Sequence, residues 1–513
     1  MSESTKQMWR LPFFLIAALF LLGTTESPGQ DYLRGNANGD AEIDLSDAIC
    51  ALDYLFNSTG SACSSPGCLD ALDSNDDGET DISDPVSLLA FLFQGGTEPP
   101  APGTTSCGPD PTADLLSCES SSCEPSVDPC PLLTVGSTGE QRNADVAMGG
   151  DGDVFVVWEA DQNDNEIFEI RGAAYNPEGT ERIDPFTVNG TSSGQQLMPA
   201  VAMDGSGRFV VVWEDDSNQN GLFQVRARGF DSNAIERIEQ FTVNVHSVGQ
   251  QVLPDIAMDS NGNFIVVWAH DGNLDENFEI EGRGFRADGT QSIAEFTVND
   301  SSSGQQSDPA VAMDSSGNFV VVWADAKDSD GSFDVHARGF DVGGTEHIAQ
   351  FTVNAHSTGQ QADPAIAMDS NGNFVVVWEH DGNSNGLFNI HARGFDATGT
   401  ERIPQFEVNT SSAGQQVDPT VAMNSIGNFV VAWEHDGDND GEFHVRFRGF
   451  NADGTESFVQ TKADCIEPAQ HLDPSIGIDG SDCIRIFWGE TPDFLGPSRI
   501  VGRMFSENEP TDP

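Results

Sequence analysis

The stretch PAIAMDSNGNFVVVWEHDGNSNGLFNIHARGF, residues 364–395, decides how this chain is read. It sets a short apolar run ending at Met368, the turn DSNG, a continuous apolar run NFVVVW ending at Trp378, a polar loop HDGNSNG, and an alternating run ending at Phe395. Three adjacent valines disfavour a helix, because two heavy atoms on Cβ restrict the side chain against the preceding turn, and suit a pleated strand. An uninterrupted apolar strand implies burial on both faces, and the Asp, Asn and Gly between runs are turn formers. With QFEVN (405–409) as a fourth alternating segment, the unit reads as four strands.

The same unit recurs. Tryptophan stands at 158, 213, 268, 323, 378, 433 and 488, an interval of 55 residues each time, so the chain holds seven units without an insertion. Seven four-stranded units predict a mainly β fold, a seven-bladed β-propeller over 131–506 with a short tail at 507–513. PLLTV (131–135) corresponds to a fourth strand, whereas the seventh unit ends after its third. The first strand of the domain is therefore expected to complete the last blade, a complementarity that an open solenoid does not need.

Within the repeats an arginine lies fifteen residues after the tryptophan at 228, 283, 338, 393, 448 and 503, with Ala173 in the first unit. A structural ion pair to an aspartate such as Asp369 is expected. The loops joining strand two to three and strand four to the next unit share one end, and that end is the expected binding face. The first of these loops carries spaced oxygen residues, most fully at Asp436, Asp438 and Asp440 before Gly441. That series is half of a Ca²⁺ loop, but Asx-rich turns need no metal, so a turn is expected first and a cation second. His270, His380 and His435 recur two residues after the tryptophan, and blade symmetry spaces them apart rather than clustering them for zinc.

A different pattern precedes the repeats. DSNDDGETDISD places Asp73, Asn75, Asp77, Glu79 through its carbonyl, Asp81 and Asp84 at positions 1, 3, 5, 7, 9 and 12 of a Ca²⁺ loop, with Gly78 in the turn. NANGDAEIDLSD, 37 residues earlier, offers Asn36, Asn38, Asp40, Glu42, Asp44 and Asp47; its neutral first position and Ala41 in place of the glycine predict weaker binding. After each loop comes an apolar helix pattern, Ile49, Leu52, Leu55 and Phe56, then Val86, Leu89, Leu92 and Phe93. These faces are expected to pack on each other. The duplicated loop and helix over 31–96 resembles the dockerin module of exported polysaccharide-degrading systems. The resemblance implies a small α-helical calcium-binding domain, Ca²⁺-dependent folding and docking to a cohesin-type partner. Positions 10 and 11, Leu45 and Ser46, then Ile82 and Ser83, differ from the hydroxyl pair common in that family, and SACSSPGC separates the copies.

Residues 1–30 read as a signal peptide: Lys6 and Arg10 precede LPFFLIAALFLLG, an apolar core shorter than a membrane span. A secreted or cell-surface location follows, and no other stretch is long and apolar enough to cross a bilayer. Residues 97–130, rich in Pro, Ser and Cys, read as a disulfide-pinned linker. Nine cysteines leave at least one unpaired, and Cys465 and Cys483 are expected to pair.

The chain carries 83 acidic and 22 basic side chains, a net charge of −61. Nucleic acid is excluded as a partner, since neutralising phosphate requires Lys and Arg. A propeller sialidase would need a tyrosine nucleophile, and the tyrosines are 32, 54 and 175, the last replacing a recurrent phenylalanine. Units two to six are near copies, which favours binding over catalysis. Three functions stand: a noncatalytic binding or scaffold protein whose propeller is monomeric and engages protein or glycan, a glycoside hydrolase of polysaccharide catabolism, and an acidic structural surface protein.

Overall fold

The computed structural model describes residues 34, 45–56, 69–78, 80–94, 96, 97, 99, 100, 133–136, 139–150, 152–163, 165–272, 274, 277–300, 304–326, 332–437, 441–464, 469–480, 483–492 and 497–505. The signal-peptide reading and the linker reading beyond residue 100 fall outside them. The chain divides into two compact units, Met1–Pro129 and Cys130–Pro513. Among the described residues no helix is long and apolar enough to cross a membrane.

The second unit is a seven-bladed β-propeller. Its strands form seven separate four-stranded antiparallel sheets. The fifth blade runs Gln360–Met368, Phe374–Asp381, Asn389–Phe395 and Glu401–Glu407, each strand pairing with the next. The last strand begins four residues earlier than QFEVN suggests, because Glu401 pairs with Phe395 through a bulge around Gly394. The ring closes as expected. Leu133–Val135 pairs with Arg499–Phe505 and completes the seventh blade, with Thr134 opposite Val501.

The second strand is the hydrophobic centre of each blade. In Phe374–Asp381 every residue but His380 is buried, and Trp378 is fully so. Blades stack face to face: Val320, Val322, Val335 and Ala337 of the fourth form one cluster with Phe374, Val376 and Trp378 of the fifth. Fully burying a side chain of this size contributes about 1.5–3 kcal/mol, so the repeated VVVW pattern supplies much of the driving force for stacking.

The recurrent arginines are structural; four of them meet a glutamate rather than the expected Asp369, and Arg338 also pairs with an aspartate, Asp300, at 2.8 Å. Arg393 Nε donates to Glu401 Oε2 at 2.7 Å and its Nη1 donates to the Val353 carbonyl of the preceding blade, with the guanidinium over Phe395. Arg338 and Arg448 repeat this arrangement. Asp369 is unavailable because its carboxylate accepts the amides of Asn371 and Asn373 and the Asn373 side chain, closing its own turn.

In the N-terminal unit, helices span Leu45–Phe56, Leu69–Leu72 and Ser83–Gln94. The two long helices pack together as expected, with Leu52, Leu55, Leu89 and Leu92 half-buried, but the rest of the expected face is corrected. Ile49 and Phe56, and at the same offset Val86 and Phe93, are exposed, while Ala48, Cys50, Ala51, Leu72 and Leu88 are buried. Small residues allow a closer approach of backbones than Ile and Phe would, which puts the larger side chains outside. Cys50 is disulfide-bonded. Cys483 carries a free thiol, so the expected Cys465–Cys483 pair is not formed. Cys483 lies in the tight turn beyond the ten-residue strand Ala469–Ile478, where its amide donates to Asp479 Oδ1.

Candidate functional site

Three places carry groups able to act on a ligand. The first is the loop from Asp73 to Asp84. Asp73 is fully buried, and its carboxylate accepts the amides of Asp77 at 3.2 Å and Gly78 at 2.8 Å. Gly78 has a φ of 81°, which explains glycine there. Arg34, itself fully buried, donates to the Asp73 carbonyl and pairs with Asp76 at 3.0 Å. Asp84 lies at the start of the second long helix and accepts the Asp81 amide. Burial, with Asp73 and Asp77 beside it, pushes its carboxyl up to about 7. Asn75 Oδ1 and Asp84 Oδ1 are buried without a hydrogen-bond partner. Crowded carboxylates and orphaned oxygens in one turn are the chemistry a hard divalent cation satisfies, so this donor set fits Ca²⁺. Glu79 and, from the first loop, Asn36, Asn38, Asp40, Glu42 and Asp44 lie outside the described residues; Asp47 is buried in the first long helix.

The second place is the loop-bearing end of the propeller. Each loop's first aspartate is tied into its own turn: Asp381 accepts the amides of Asn385 at 3.1 Å and Gly386 at 2.8 Å, and Asp216 does the same for Asn220 and Gly221. Asp436 accepts the Gly441 amide, while Asp438 and Asp440 lie outside the described residues. The recurrent histidines are also tied down, with the Nδ1 atoms of His270, His380 and His435 each bonded to a glutamine Oε1 at 3.0, 2.7 and 2.8 Å.

The third place, missed by the sequence reading, is the central channel. All seven innermost strands bulge at one position, spaced by 55 residues: Asn143, Met198, Leu253, Asp308, Asp363, Asp418 and Asp473. Every one has positive φ, from 45° to 54°, a conformation that costs an L-residue about 1 kcal/mol. They ring a cavity of about 350 Å³. Four consecutive blades contribute aspartate. Glutamates beside the tryptophans hold the bulges: Glu379 Oε1 accepts the Asp418 amide at 2.8 Å and Glu434 Oε1 the Asp473 amide at 2.7 Å, each reaching into the next blade. Oxygens of Asp363, Glu379 and Asp418 lie within 4.8 Å of one another. Burial, then Asp363, pushes Glu379 up to about 8; burial, then Asp418, pushes Glu434 up to about 9; burial, then its aspartate neighbours, pushes Asp363 up to about 7. The cluster therefore holds protons at neutral pH. The signal was present in the repeats, in the column before the recurrent proline, where the units differ instead of agreeing.

No family model matches the chain, and no curated protein matches it. Among solved structures it is similar to a protein of unknown function from Dyadobacter fermentans, with 10% identity over 73% of this chain and 97% of that one and a TM-score of 0.45. It is also similar to an α-L-arabinanase of Penicillium chrysogenum, with 12% identity over 61% and 94% and a TM-score of 0.43. A third is a PL25 ulvan lyase, with 12% identity over 73% and 95% and a TM-score of 0.44.

Proposed function

We propose that this is an exported, calcium-binding, noncatalytic binding or scaffold protein, with a dockerin-like module for attachment and a propeller whose loop-bearing end meets protein or glycan. The observation that carries the reading is the pair of matching exposed apolar positions on the two long helices, Ile49 and Phe56 with Val86 and Phe93. Large apolar side chains left outside at the same offset on two elements mark a surface meant to be covered by a protein, of the cohesin type in the dockerin resemblance. Bound Ca²⁺ would neutralise the carboxylates of Asp73, Asp77 and Asp84. Asn75 and the Glu79 carbonyl would complete the donor set, and the helix carrying Val86 and Phe93 would be fixed in place.

A glycoside hydrolase is the second reading, favoured by the protonatable carboxylates of the channel.

The test is Ca²⁺ titration of the full chain by calorimetry, with Asp73→Asn/Asp84→Asn and Ile49→Ser/Phe93→Ser as variants. The first variant is expected to lose binding heat, the second to keep it while losing capture of a cohesin-type protein. Absence of Ca²⁺ heat in the wild type, or turnover of a polysaccharide panel abolished by Glu379→Gln, would overturn the reading.

A further inference from the structure

In five of the blade junctions one polar contact set recurs. An asparagine at the end of the outer strand caps the third strand: Ile170 N donates to Asn189 Oδ1, Val225 N to Asn244, Ile280 N to Asn299, Val335 N to Asn354 and Ile390 N to Asn409, at 2.7–3.0 Å. Its amide group reaches a side-chain acceptor, Gln224, Asp334 or Asn389. At the third junction it also reaches the glutamine of the next blade, with Asn299 Nδ2 to Gln306 Oε1 at 3.0 Å. At four junctions that glutamine in turn accepts the tryptophan Nε1: Gln196 from Trp213, Gln251 from Trp268, Gln361 from Trp378 and Gln416 from Trp433.

At the junction of the sixth and seventh blades all three positions change together. The acceptor is His444, the asparagine is Asp464 and the glutamine is His471. Asp464 Oδ1 still caps Val445 N at 3.0 Å. Its other oxygen faces His444 Nδ1 at 2.9 Å and His471 Nδ1 at 3.4 Å. His471 is 1% exposed, and its Nδ1 makes no hydrogen bond; Trp488 Nε1 is buried without a partner as well, as are Trp158 Nε1 and Trp323 Nε1 in units that keep the glutamine. The substitution therefore leaves a buried imidazole nitrogen unsatisfied where four junctions have a glutamine bonded to the tryptophan, and a buried polar group without a partner destabilises the fold. Nothing in the packing of the blade calls for it, because the same junction closes four times with Asn and Gln.

We propose that His444, Asp464 and His471 form a site for a borderline divalent cation of the Zn²⁺ class, bound between the sixth and seventh blades. Imidazole nitrogen and carboxylate oxygen bind Zn²⁺ at about 2.0–2.2 Å, and the edge of such a tetrahedron is about 3.3 Å. The 3.4 Å separation of His471 Nδ1 from Asp464 Oδ2 matches that edge, the 2.9 Å hydrogen bond from His444 Nδ1 would lengthen by about 0.4 Å to reach it, and the three ligand atoms lie within 4.8 Å of one another. Lys462 Nζ, 3.3 Å from the same oxygen, is the group a cation would displace. Glu490 stands opposite His471 in the strand register, with Oε2 buried and unpartnered, while its Oε1 pairs with Arg499 Nη2 at 2.8 Å. Ca²⁺, which prefers six to eight oxygens, does not suit this donor set, so the site is separate from the N-terminal loop.

The repeat supplies its own control. Asp464→Asn with His471→Gln restores the residues that five other junctions use, and Trp488 regains an acceptor, so the variant is expected to fold. The full chain, held in excess Ca²⁺ to saturate oxygen-rich loops, is titrated with Zn²⁺ by calorimetry and with Co²⁺ by visible absorption. The wild type is expected to take one equivalent more than the double variant, with a tetrahedral Co²⁺ spectrum, and His444→Gln to weaken that equivalent at least a hundredfold. Equal stoichiometry in wild type and double variant, or an octahedral Co²⁺ spectrum only, would show that the three residues form a buried ion-pair network with Lys462 and would overturn the proposal.

Discussion

Glu379 and Glu434 hold the bulged innermost strands of the next blades through one oxygen each, yet burial keeps both protonated near neutrality. A carboxyl whose folded pKa lies above its unfolded value binds its proton more tightly when folded. Its contribution to stability is complete below the unfolded value and is lost as pH rises through the folded one. For these two groups the window runs from 4.5 to about 8 and about 9. Each pH unit across that window corresponds to about 1.4 kcal/mol, so Glu379 alone would account for roughly 5 kcal/mol if its environment were rigid and dry. An effective dielectric of about 20, as for protein sites generally, screens the charge, and about 2 kcal/mol per group is the expected loss. Replacing both with glutamine keeps the acceptor oxygens for Asp418 N and Asp473 N and removes the two ionisations, only 2 of 83 acidic groups. The assay is urea unfolding without divalent ions at pH 5, 7 and 9, read by fluorescence of the buried tryptophans. The wild-type stability should fall steadily from pH 5 to 9, and that of Glu379→Gln/Glu434→Gln should fall by about 4 kcal/mol less. A double variant that loses stability as steeply as the wild type would refute the argument and assign the pH dependence to general repulsion among surface carboxylates.

Two further outcomes follow from the fold. Val135 is fully buried in the strand that closes the ring, packed with Phe487 and Ile500, so Val135→Asp should cost about 4 kcal/mol or more and lower the urea midpoint; an unchanged midpoint would mean that the seventh blade does not depend on that strand. Gly414 has a φ of +73°, and an added Cβ would meet the Asp436 carbonyl oxygen at 1.7 Å, so Gly414→Ala should destabilise the sixth blade by about 2 kcal/mol or more in the same assay, whereas Gly386→Ala, with nothing within 4 Å, should cost less.

The blades were legible because burial on two faces imposes an unbroken apolar run and a fixed unit length, and both are local properties of the chain. NFVVVW could only be an interior strand, and the missing fourth strand of the last unit pointed to PLLTV. The tight turn at Asp73–Gly78 was legible for a similar reason, since its carboxylate and the amides it accepts are close in sequence. What escaped was whatever strand pairing and packing between elements decide. Arg393 chose Glu401 over Asp369 because strand pairing sets which carboxylate it can reach, and Ile49 and Phe56 face outward because Cys50, Ala51 and Leu72 pack more closely. Agreement among repeats identified the scaffold, where every blade meets the same requirement. Disagreement among them identified the groups with other chemistry: aspartates in four of seven places around the channel, and His444, Asp464 and His471 at one junction of seven. Single columns of the repeat carry those differences, but only the stacking of neighbouring blades places Asp308 near Asp363 and His444 beside His471. Proximity across blades, and with it charge coupling and ligand geometry, is a property of the tertiary structure alone.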